Sequence, residues 1–279
     1  MPRAPRTSGT RGGLPEPRKR FGQHFLRDSG TLDAIVDALG PLEGRTVVEI
    51  GPGRGVLTDR LAERAARLVA IEVDRDLAAH LRLRYALNAN VEIVEADVLT
   101  VALGDIAGTD YVLAGNVPYY ITTPILFHAL ERPRPSVAVY LVQREVAERM
   151  AAPPGDKTYG ALSVNLQALS HVELIRHVPP GAFSPPPKVD SAVVRVTPRK
   201  DRVIAAELER RFSGVVIAAF GLRRKQLVRV VRTIASLDAA QAEAVVAAAG
   251  LRPDVRPETL SPEDFARLVE QLAALSSSS

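Results

Sequence analysis

Apolar residues fall into two rhythms along this chain, and the change comes near residue 200. Before it, short runs rich in β-branched residues alternate with segments whose apolar positions recur every three or four residues. The runs at 46–50, 68–72, 91–95, 111–114, 137–142, 173–177 and 192–197 predict strands. The segments at 32–39, 57–65, 77–86, 124–129, 144–150 and 161–170 predict helices. Such alternation predicts an α/β fold with a seven-stranded, mostly parallel, doubly wound sheet. No helical pattern separates the last two strands, only residues 179–190, which predicts an antiparallel pair at the end of the sheet.

After residue 200 only the helical rhythm remains, at 203–220, 225–235, 239–249 and 262–275. Residues 222–224, 236–238 and 250–259 read as joints. The expected organisation is a basic flexible tail over 1–20, an α/β domain over 21–199, a small all-helical domain over 200–275 and a disordered serine tail over 276–279. No internal repeat is visible.

Composition narrows the classes. The chain has 279 residues, enough for one large domain and a small one, and is 46% apolar, as expected of a globular protein. It has no cysteine, which excludes a disulfide framework, a thiolate zinc site and a cysteine nucleophile and suits a cytoplasmic location. No apolar run reaches the length of a membrane span. Arg3, Arg6, Arg11, Arg18, Lys19 and Arg20 crowd the start with no hydrophobic segment behind them, so this is not a secretory signal. They form either a solvated tail or a basic arm for RNA. The net charge of +4 and pI near 9.6 lean toward a polyanionic partner.

Candidate chemistry sits at the ends of successive strands. Glu49-Ile50-Gly51-Pro52-Gly53-Arg54-Gly55 closes the first one. Its glycines, Gly51 and Gly53 among them, permit a sharp turn and a close approach of backbone to ligand, or simply a strand-to-helix turn. The spacing differs from that of a pyrophosphate binder. The second strand ends at Glu72, placed to accept from ribose hydroxyls or to stand solvated at a strand end. The third ends at Asp97, placed to accept from the amino group of an adenine or to cap the next turn. Glycines, an acid and an acid along one sheet edge are what nucleoside-binding doubly wound folds present.

The fourth strand delivers Asn116-Val117-Pro118-Tyr119 beside that edge. The amino lone pair of adenine is delocalised into its ring and is a poor nucleophile. Two acceptors on its hydrogens, the Asn116 side-chain oxygen and the Val117 main-chain carbonyl, favour a pyramidal nitrogen. Pro118 stiffens the turn and Tyr119 is placed to stack on the base. Thr123 reads as the cap of the following helix, with Pro124 at its first position. Further on, Phe183-Ser184-Pro185-Pro186-Pro187-Lys188-Val189-Asp190-Ser191 reads as an extended loop. It either exposes Phe183 as a second wall for a flipped-out base or tucks it into the core edge.

The strand-end set resembles the S-adenosylmethionine-dependent class I methyltransferases, with their Rossmann-like fold. An NAD enzyme is disfavoured by the glycine spacing and the tetrad. Together with Arg18-Lys19-Arg20-Phe21-Gly22-Gln23-His24-Phe25-Leu26, Tyr159-Gly160 and Arg223-Arg224-Lys225, the chain resembles the KsgA family of small-subunit ribosomal RNA adenine dimethyltransferases over about residues 18–270. The resemblance implies dimethylation of two adjacent adenosines in the 3′-terminal hairpin loop of 16S rRNA, during assembly of the small ribosomal subunit. It implies S-adenosylmethionine as the methyl source, with contacts from His24, Leu26, Gly51, Glu72, Asp97 and Asn116. His24 stands where relatives often have Asn, Val117 where Leu is common, and Tyr120 replaces a frequent Asn.

Arg223, Arg224, Lys225, Arg229 and Arg232 form a run without an acid between Phe220 and Leu237. The spacing of Lys225, Arg229 and Arg232 predicts one helix face, either a phosphate-backbone footprint or a solvated charged surface. Two other readings stand beside the first: an erythromycin-resistance-type methyltransferase of large-subunit RNA, and a mainly non-catalytic assembly factor. Zinc-dependent deamination is excluded by the missing cysteines, and His24, His80, His128, His171 and His177 lack ligand spacing, so no metal is expected. A monomer is expected.

Overall fold

The computed structural model describes residues 23–277. The basic arm over 1–20, including Arg18, Lys19 and Arg20, lies outside the described residues. The elements run β1 (Phe25–Leu26), α1 (Ser29–Leu39), β2 (Thr46–Ile50), α2 (Val56–Ala62), β3 (Arg67–Glu72), α3 (Arg75–Arg84), β4 (Val91–Glu95), α4 (Leu103–Ala107), β5 (Tyr111–Asn116), α5 (Thr122–Ala129), β6 (Val137–Gln143), α6 (Arg144–Ala151), α7 (Ala161–Leu169), β7 (Ser170–Val178), β8 (Phe183–Ser184) and β9 (Ser191–Pro198). Four helices follow: α8 (Glu209–Gly221), α9 (Leu227–Ala235), α10 (Ala239–Ala248) and α11 (Pro262–Ser277).

All seven expected strands join one sheet of order β4-β3-β2-β5-β6-β9-β7. The pairs from β4 through β6 are parallel. β9 runs antiparallel to both β6 and β7, as the missing crossover between the last two strands requires. The winding direction reverses between β2 and β5, the place where doubly wound sheets open a crevice at their carboxyl edge.

Parallel strands buried on both faces read as near-continuous apolar runs, as β5 and β6 do, whereas the edge strand β4 carries the exposed Glu92 and Glu95. One sheet face packs Val48, Ile50, Leu113 and Tyr140 against α4, α5, α6 and α7 through Leu103, Ile125, Leu126, Met150, Leu162 and Leu166. The other packs Val47, Val112, Val139 and Val193 against Leu32, Ile35 and Val36 of α1 and Leu57 and Leu61 of α2. A third core lies among α8–α11, with Phe212, Val216, Val230, Val231, Phe265 and Leu268, and it draws in Ala152, Tyr159, Val164 and Ala168. The packing of the helical part therefore does not stop at residue 199. No helix among the described residues is long and apolar enough to cross a membrane.

Several element ends differ from expectation. α5 begins at Thr122 with Ile121 at the N-cap position, so Thr123 is no cap and Pro124 is the third helical residue. The reason is the tetrad turn: the Ile121 N–H donates to the Pro118 carbonyl and carries the chain straight into the helix. α9 begins at Leu227, not Lys225, because the Lys225 N–H closes a turn onto the Leu222 carbonyl and Gln226 takes the N-cap position. α8 starts only at Glu209, after a 3-10 turn. α4 was not expected, since five residues show too little periodicity. α11 extends two residues into the serine run.

The largest correction concerns Phe183. It is 1% exposed and packs in the core beside α1 and α2, so the proline segment does not hold it out at a loop. The cause is a long-range pairing that no local pattern shows. β8 pairs antiparallel with β1, Leu26 opposite Phe183 and Phe25 opposite Ser184. The Arg27 N–H also donates to the Ala182 carbonyl at 2.8 Å. Replacing Phe183 by alanine should therefore destabilise the protein by about 3–5 kcal/mol, the usual range for a buried ring. Chemical denaturation checks this, and a loss under about 1 kcal/mol would return Phe183 to the surface.

Candidate active site

The ends of β2, β3, β4 and β5 and the β1 strap enclose a cleft of about 190 Å³. Gly51, Gly53, Glu72, Asp97, Asn116, Val117, Pro118 and Tyr119 line it, as do His24 and Leu26. The structure thus brings together all the residues singled out for the donor and acceptor sites except Phe183.

The glycine turn after β2 needs its glycines. Gly51, Gly53 and Gly55 have φ of +69°, +59° and +84°, a region that L-residues with side chains avoid. A Cβ on Gly53 would lie 3.0 Å from the Phe25 ring, and one on Gly55 would lie 2.8 Å from the Tyr85 hydroxyl. The turn is held by Glu72, whose Oε2 accepts from the Gly53 N–H at 3.1 Å and whose Oε1 accepts from the Asp74 N–H at 2.9 Å. Each carboxylate oxygen can accept a second bond.

Glu49 and Glu72 are 1% and 5% exposed. Burial, reinforced by its neighbour Glu72, pushes the Glu49 carboxyl up to about 8. Burial likewise raises Glu72 to about 7, against the pull of its backbone hydrogen bonds. Glu49 Oε2 is buried with no hydrogen-bond partner among the described residues. A ligand that is positively charged and carries hydroxyl donors suits this pair of acids.

Asp97 is exposed at the end of β4, and its Oδ1 accepts from the Leu99 N–H at 3.0 Å, so it does cap the next turn. Val73 and Leu99 line the same part of the cleft and are 45% and 36% exposed. They offer apolar surface for a flat ring beside an acceptor. The sequence signal for them was weak: an apolar residue just beyond a strand-end acid, where a polar turn residue is usual.

On the acceptor side, Asn116 Nδ2 donates to the His24 carbonyl at 3.1 Å. That bond fixes the amide so that Oδ1 remains an acceptor. The Val117 N–H donates to the Leu141 carbonyl at 3.2 Å, while the Val117 carbonyl accepts from none of the described residues. Tyr119 is held at both ends. Its hydroxyl lies 2.5 Å from Ser191 Oγ, and its ring stacks on that of His24 with centroids 5.9 Å apart. Ser191, fully buried on β9, supports the site although its position in the sequence gives no sign of it. His24 in turn has Nδ1 2.9 Å from the Pro185 carbonyl. Its ring therefore contacts the acceptor tyrosine, a contact that the resemblance did not imply.

The basic residues lie elsewhere. Arg223, Arg224 and Lys225 are exposed in the joint between α8 and α9. Arg229 and Arg232 are exposed on α9, opposite its buried Leu227, Val230 and Val231. Lys225 precedes the helix, so the expected three-residue helix face reduces to Arg229 and Arg232, with Lys225 contributing from the joint.

The sequence matches the ribosomal RNA adenine dimethylase family over residues 15–274. It is 46% identical over 253 residues to Ribosomal RNA small subunit methyltransferase A of Xanthomonas campestris pv. campestris (strain B100), covering 90% of this chain and 94% of that protein. It is 47% identical over 258 residues to the protein of the same description from Xanthomonas axonopodis pv. citri (strain 306), with the same coverage of each. The solved structure of the 23S rRNA methyltransferase ErmE aligns with a TM-score of 0.70 at 29% identity, over 89% of this chain and 99% of that one. A dimethyladenosine transferase from Plasmodium falciparum aligns with a TM-score of 0.75 at 24% identity, over 91% and 98%, a likeness of fold. The sheet and its carboxyl-edge cleft are those of a class I methyltransferase.

The two buried acids generate a pH prediction. Their carboxyls titrate near 4.5 when free and near 7 and 8 here. Between those values the folded protein binds more protons than the unfolded chain, so stability falls as pH rises from about 5 to about 8. The melting temperature of the protein without added ligand should drop across that window, and Glu49→Gln should flatten the upper part of the drop. A wild-type curve that stays level or rises would contradict the burial of these charges.

Proposed function

The chain belongs to the ribosomal RNA adenine dimethylase family, and from that premise we propose that it methylates the exocyclic amino groups of two adjacent adenosines in the 3′-terminal hairpin loop of 16S rRNA. The 46–47% identity to small-subunit methyltransferases, against 29% to the 23S rRNA enzyme, supports the small-subunit substrate. The observation that carries the chemistry is the pair of uncommitted acceptors at the end of β5, Asn116 Oδ1 and the Val117 carbonyl.

S-adenosylmethionine, when bound, supplies a methyl group on a cationic sulfur that leaves as a neutral thioether. The residues of the chain position the reactants. Glu72 and the backbone at Gly51 and Gly53 hold the sugar and amino-acid portion, Asp97 accepts from the adenine amine, and Val73 and Leu99 cover the ring faces. Leu26 closes the cleft from the strap, and His24 does so through its carbonyl and its ring. Asn116 Oδ1 and the Val117 carbonyl would each accept a hydrogen bond from one N–H of the unmethylated target amine, which favours a pyramidal nitrogen with its lone pair toward the methyl. The monomethyl amine keeps one N–H for the second transfer, and each transfer releases one proton from the nitrogen to solvent. Pro118 fixes the turn and Tyr119 stacks on the target base. Phe183 supports Leu26 from below and supplies no second wall in this conformation. Catalysis of this kind rests on positioning, because the leaving group already carries its charge.

Arg223, Arg224, Lys225, Arg229 and Arg232 supply positive charge for the RNA backbone. The protein works as a monomer in the cytoplasm, on the immature small subunit.

Transfer of labelled methyl from S-adenosylmethionine to undermethylated small subunits tests the reading, with dimethyladenosine as the expected product. Label appearing only in large-subunit RNA would overturn the substrate. Asn116→Ala should lower turnover at least about a hundredfold, the scale of losing one preorganised hydrogen-bond partner. RNA binding should survive, and near-normal turnover would refute the role of the amide. Neutralising the five basic residues should weaken RNA binding. It should also reduce the slope of log affinity against log salt by about 0.7–0.9 for each phosphate that the protein no longer neutralises. An unchanged slope would remove these residues from the RNA surface.

A further inference from the structure

We propose that Tyr120 is a second base subsite: a stacking platform for the nucleobase that neighbours the one held at Tyr119. The proposal rests on the reading of the cleft as an RNA adenine methyltransferase site.

Tyr120 is 58% exposed although it lines the same cleft as Asn116 and Tyr119. The other bare apolar residues on this rim, Val73 and Leu99, sit on the donor side around Asp97. Tyr120 sits on the tetrad turn itself. A large ring left open at the mouth of a functional pocket carries more information than a scattered surface aliphatic. Among the described residues, its hydroxyl makes no hydrogen bond, and its ring makes no ring contact of the kind that Tyr119 makes with His24. Nothing within the described protein accounts for its placement.

The turn makes the platform rigid. The Pro118 carbonyl accepts from the Ile121 N–H at 3.2 Å and from Thr122 Oγ1 at 3.1 Å. Tyr119 and Tyr120 therefore occupy the two central positions of a hydrogen-bonded turn. Tyr119 turns inward onto His24 and Ser191, and Tyr120 turns outward. Their Cα atoms are about 3.8 Å apart, so neighbouring bases of one strand can meet neighbouring rings without a large rearrangement. The ligand is a nucleobase of either type, because stacking on a tyrosine face is tolerant of sequence.

A platform of this kind binds ground state and transition state alike, so its loss should raise KM and spare kcat. Kinetics with undermethylated small subunits and labelled S-adenosylmethionine provide the test, with calorimetric binding of S-adenosylhomocysteine as the donor-side control. Tyr120→Ala should raise KM for the subunits by about 5- to 100-fold, the range for one base–aromatic stack. It should leave kcat within about twofold and S-adenosylhomocysteine affinity unchanged. Tyr120→Phe should behave as wild type. The chain has no tryptophan, so Tyr120→Trp introduces a single indole, whose fluorescence should be quenched by small subunits. An unchanged KM in Tyr120→Ala, a parallel loss of S-adenosylhomocysteine affinity, or a Phe variant as impaired as Ala overturns the proposal. A wild-type protein that transfers no methyl overturns both this and the reading beneath it, whereas an active wild type with an unaffected Tyr120→Ala overturns this proposal alone.

Discussion

The site depends on how closely β2 and β5 lie side by side at their carboxyl ends. Ile50 pairs with Gly115 in parallel register, and the residue after each begins one half of the site. Gly115 is closely packed: a Cβ there would sit 3.2–3.3 Å from Val117 Cγ2, Ile50 Cβ and the Ile50 carbonyl, so these neighbours would have to give way. A Cβ on Gly51 would likewise lie 3.3 Å from the Asn116 carbonyl. These contacts are tighter than a side chain normally accepts. The close approach of the glycine turn and the tetrad is therefore eased by two residues without side chains at the point of contact, Gly51 just after β2 and Gly115 just before the end of β5. In the proposed function, the methyl donor and the methyl acceptor meet across that contact.

The β1 strap completes what the sheet edge begins. His24 touches Asn116 through its carbonyl, Tyr119 through its ring and Pro185 through Nδ1, so one residue ties the acceptor tetrad to the proline segment 161 positions away. Phe25 packs against Gly53 and carries the Arg54 guanidinium over its ring at 4.4 Å. Leu26 lies over Phe183. The cleft is thus roofed by a segment with little secondary structure of its own, held by contacts to three separate parts of the fold. The two buried acids beneath it work against stability, since burying a carboxylate is costly unless it is paired. Two acids placed at the cleft despite that cost suit the cationic ligand proposed for it, and the hydrogen bonds of Glu72 to the Gly53 and Asp74 N–H groups offset part of the cost.

The strands were legible because a buried parallel strand is an apolar run bounded by turn residues. Residues 46–50 and 91–95 have the same limits in sequence and structure, and all seven runs enter the sheet. The strand-end acids and the tetrad were legible for the same reason: once the strands are placed, their last residues must share one edge. What escaped was set by partners distant in the chain. Phe183 is buried because it pairs with β1, and a run of prolines around it reads locally as an exposed loop. Val73 and Leu99 acquire meaning only when β3 and β4 lie side by side. The starts of α5 and α9 were misplaced because the main-chain turns at Pro118–Ile121 and Leu222–Lys225 outrank the cap and periodicity signals. His24 was expected to face the donor, and its stack on Tyr119 depends on the path of a strap that no periodicity describes.

The helical part raises the question of what holds the basic joint in place relative to the cleft. Ion pairs cross to it from the sheet side: Arg132 and Arg134 meet Glu209, and Arg199 meets Glu263. Pairs of this kind, where exposed, are worth about 0–1 kcal/mol each. The apolar packing is larger. Tyr159 is 1% exposed, donates from its hydroxyl to the Leu260 carbonyl at 2.9 Å and meets the Phe220 ring edge-on at 6.0 Å. Ala152, Val164 and Ala168 share the same core with Phe212, Val230 and Val231. Each fully buried side chain of this size contributes about 1.5–3 kcal/mol for the larger aliphatics and aromatics. The position of Arg223–Lys225 is therefore set by a shared core that the ion pairs trim. The proposed contact of this joint with an RNA backbone would weaken with salt long before the helices that carry it loosen.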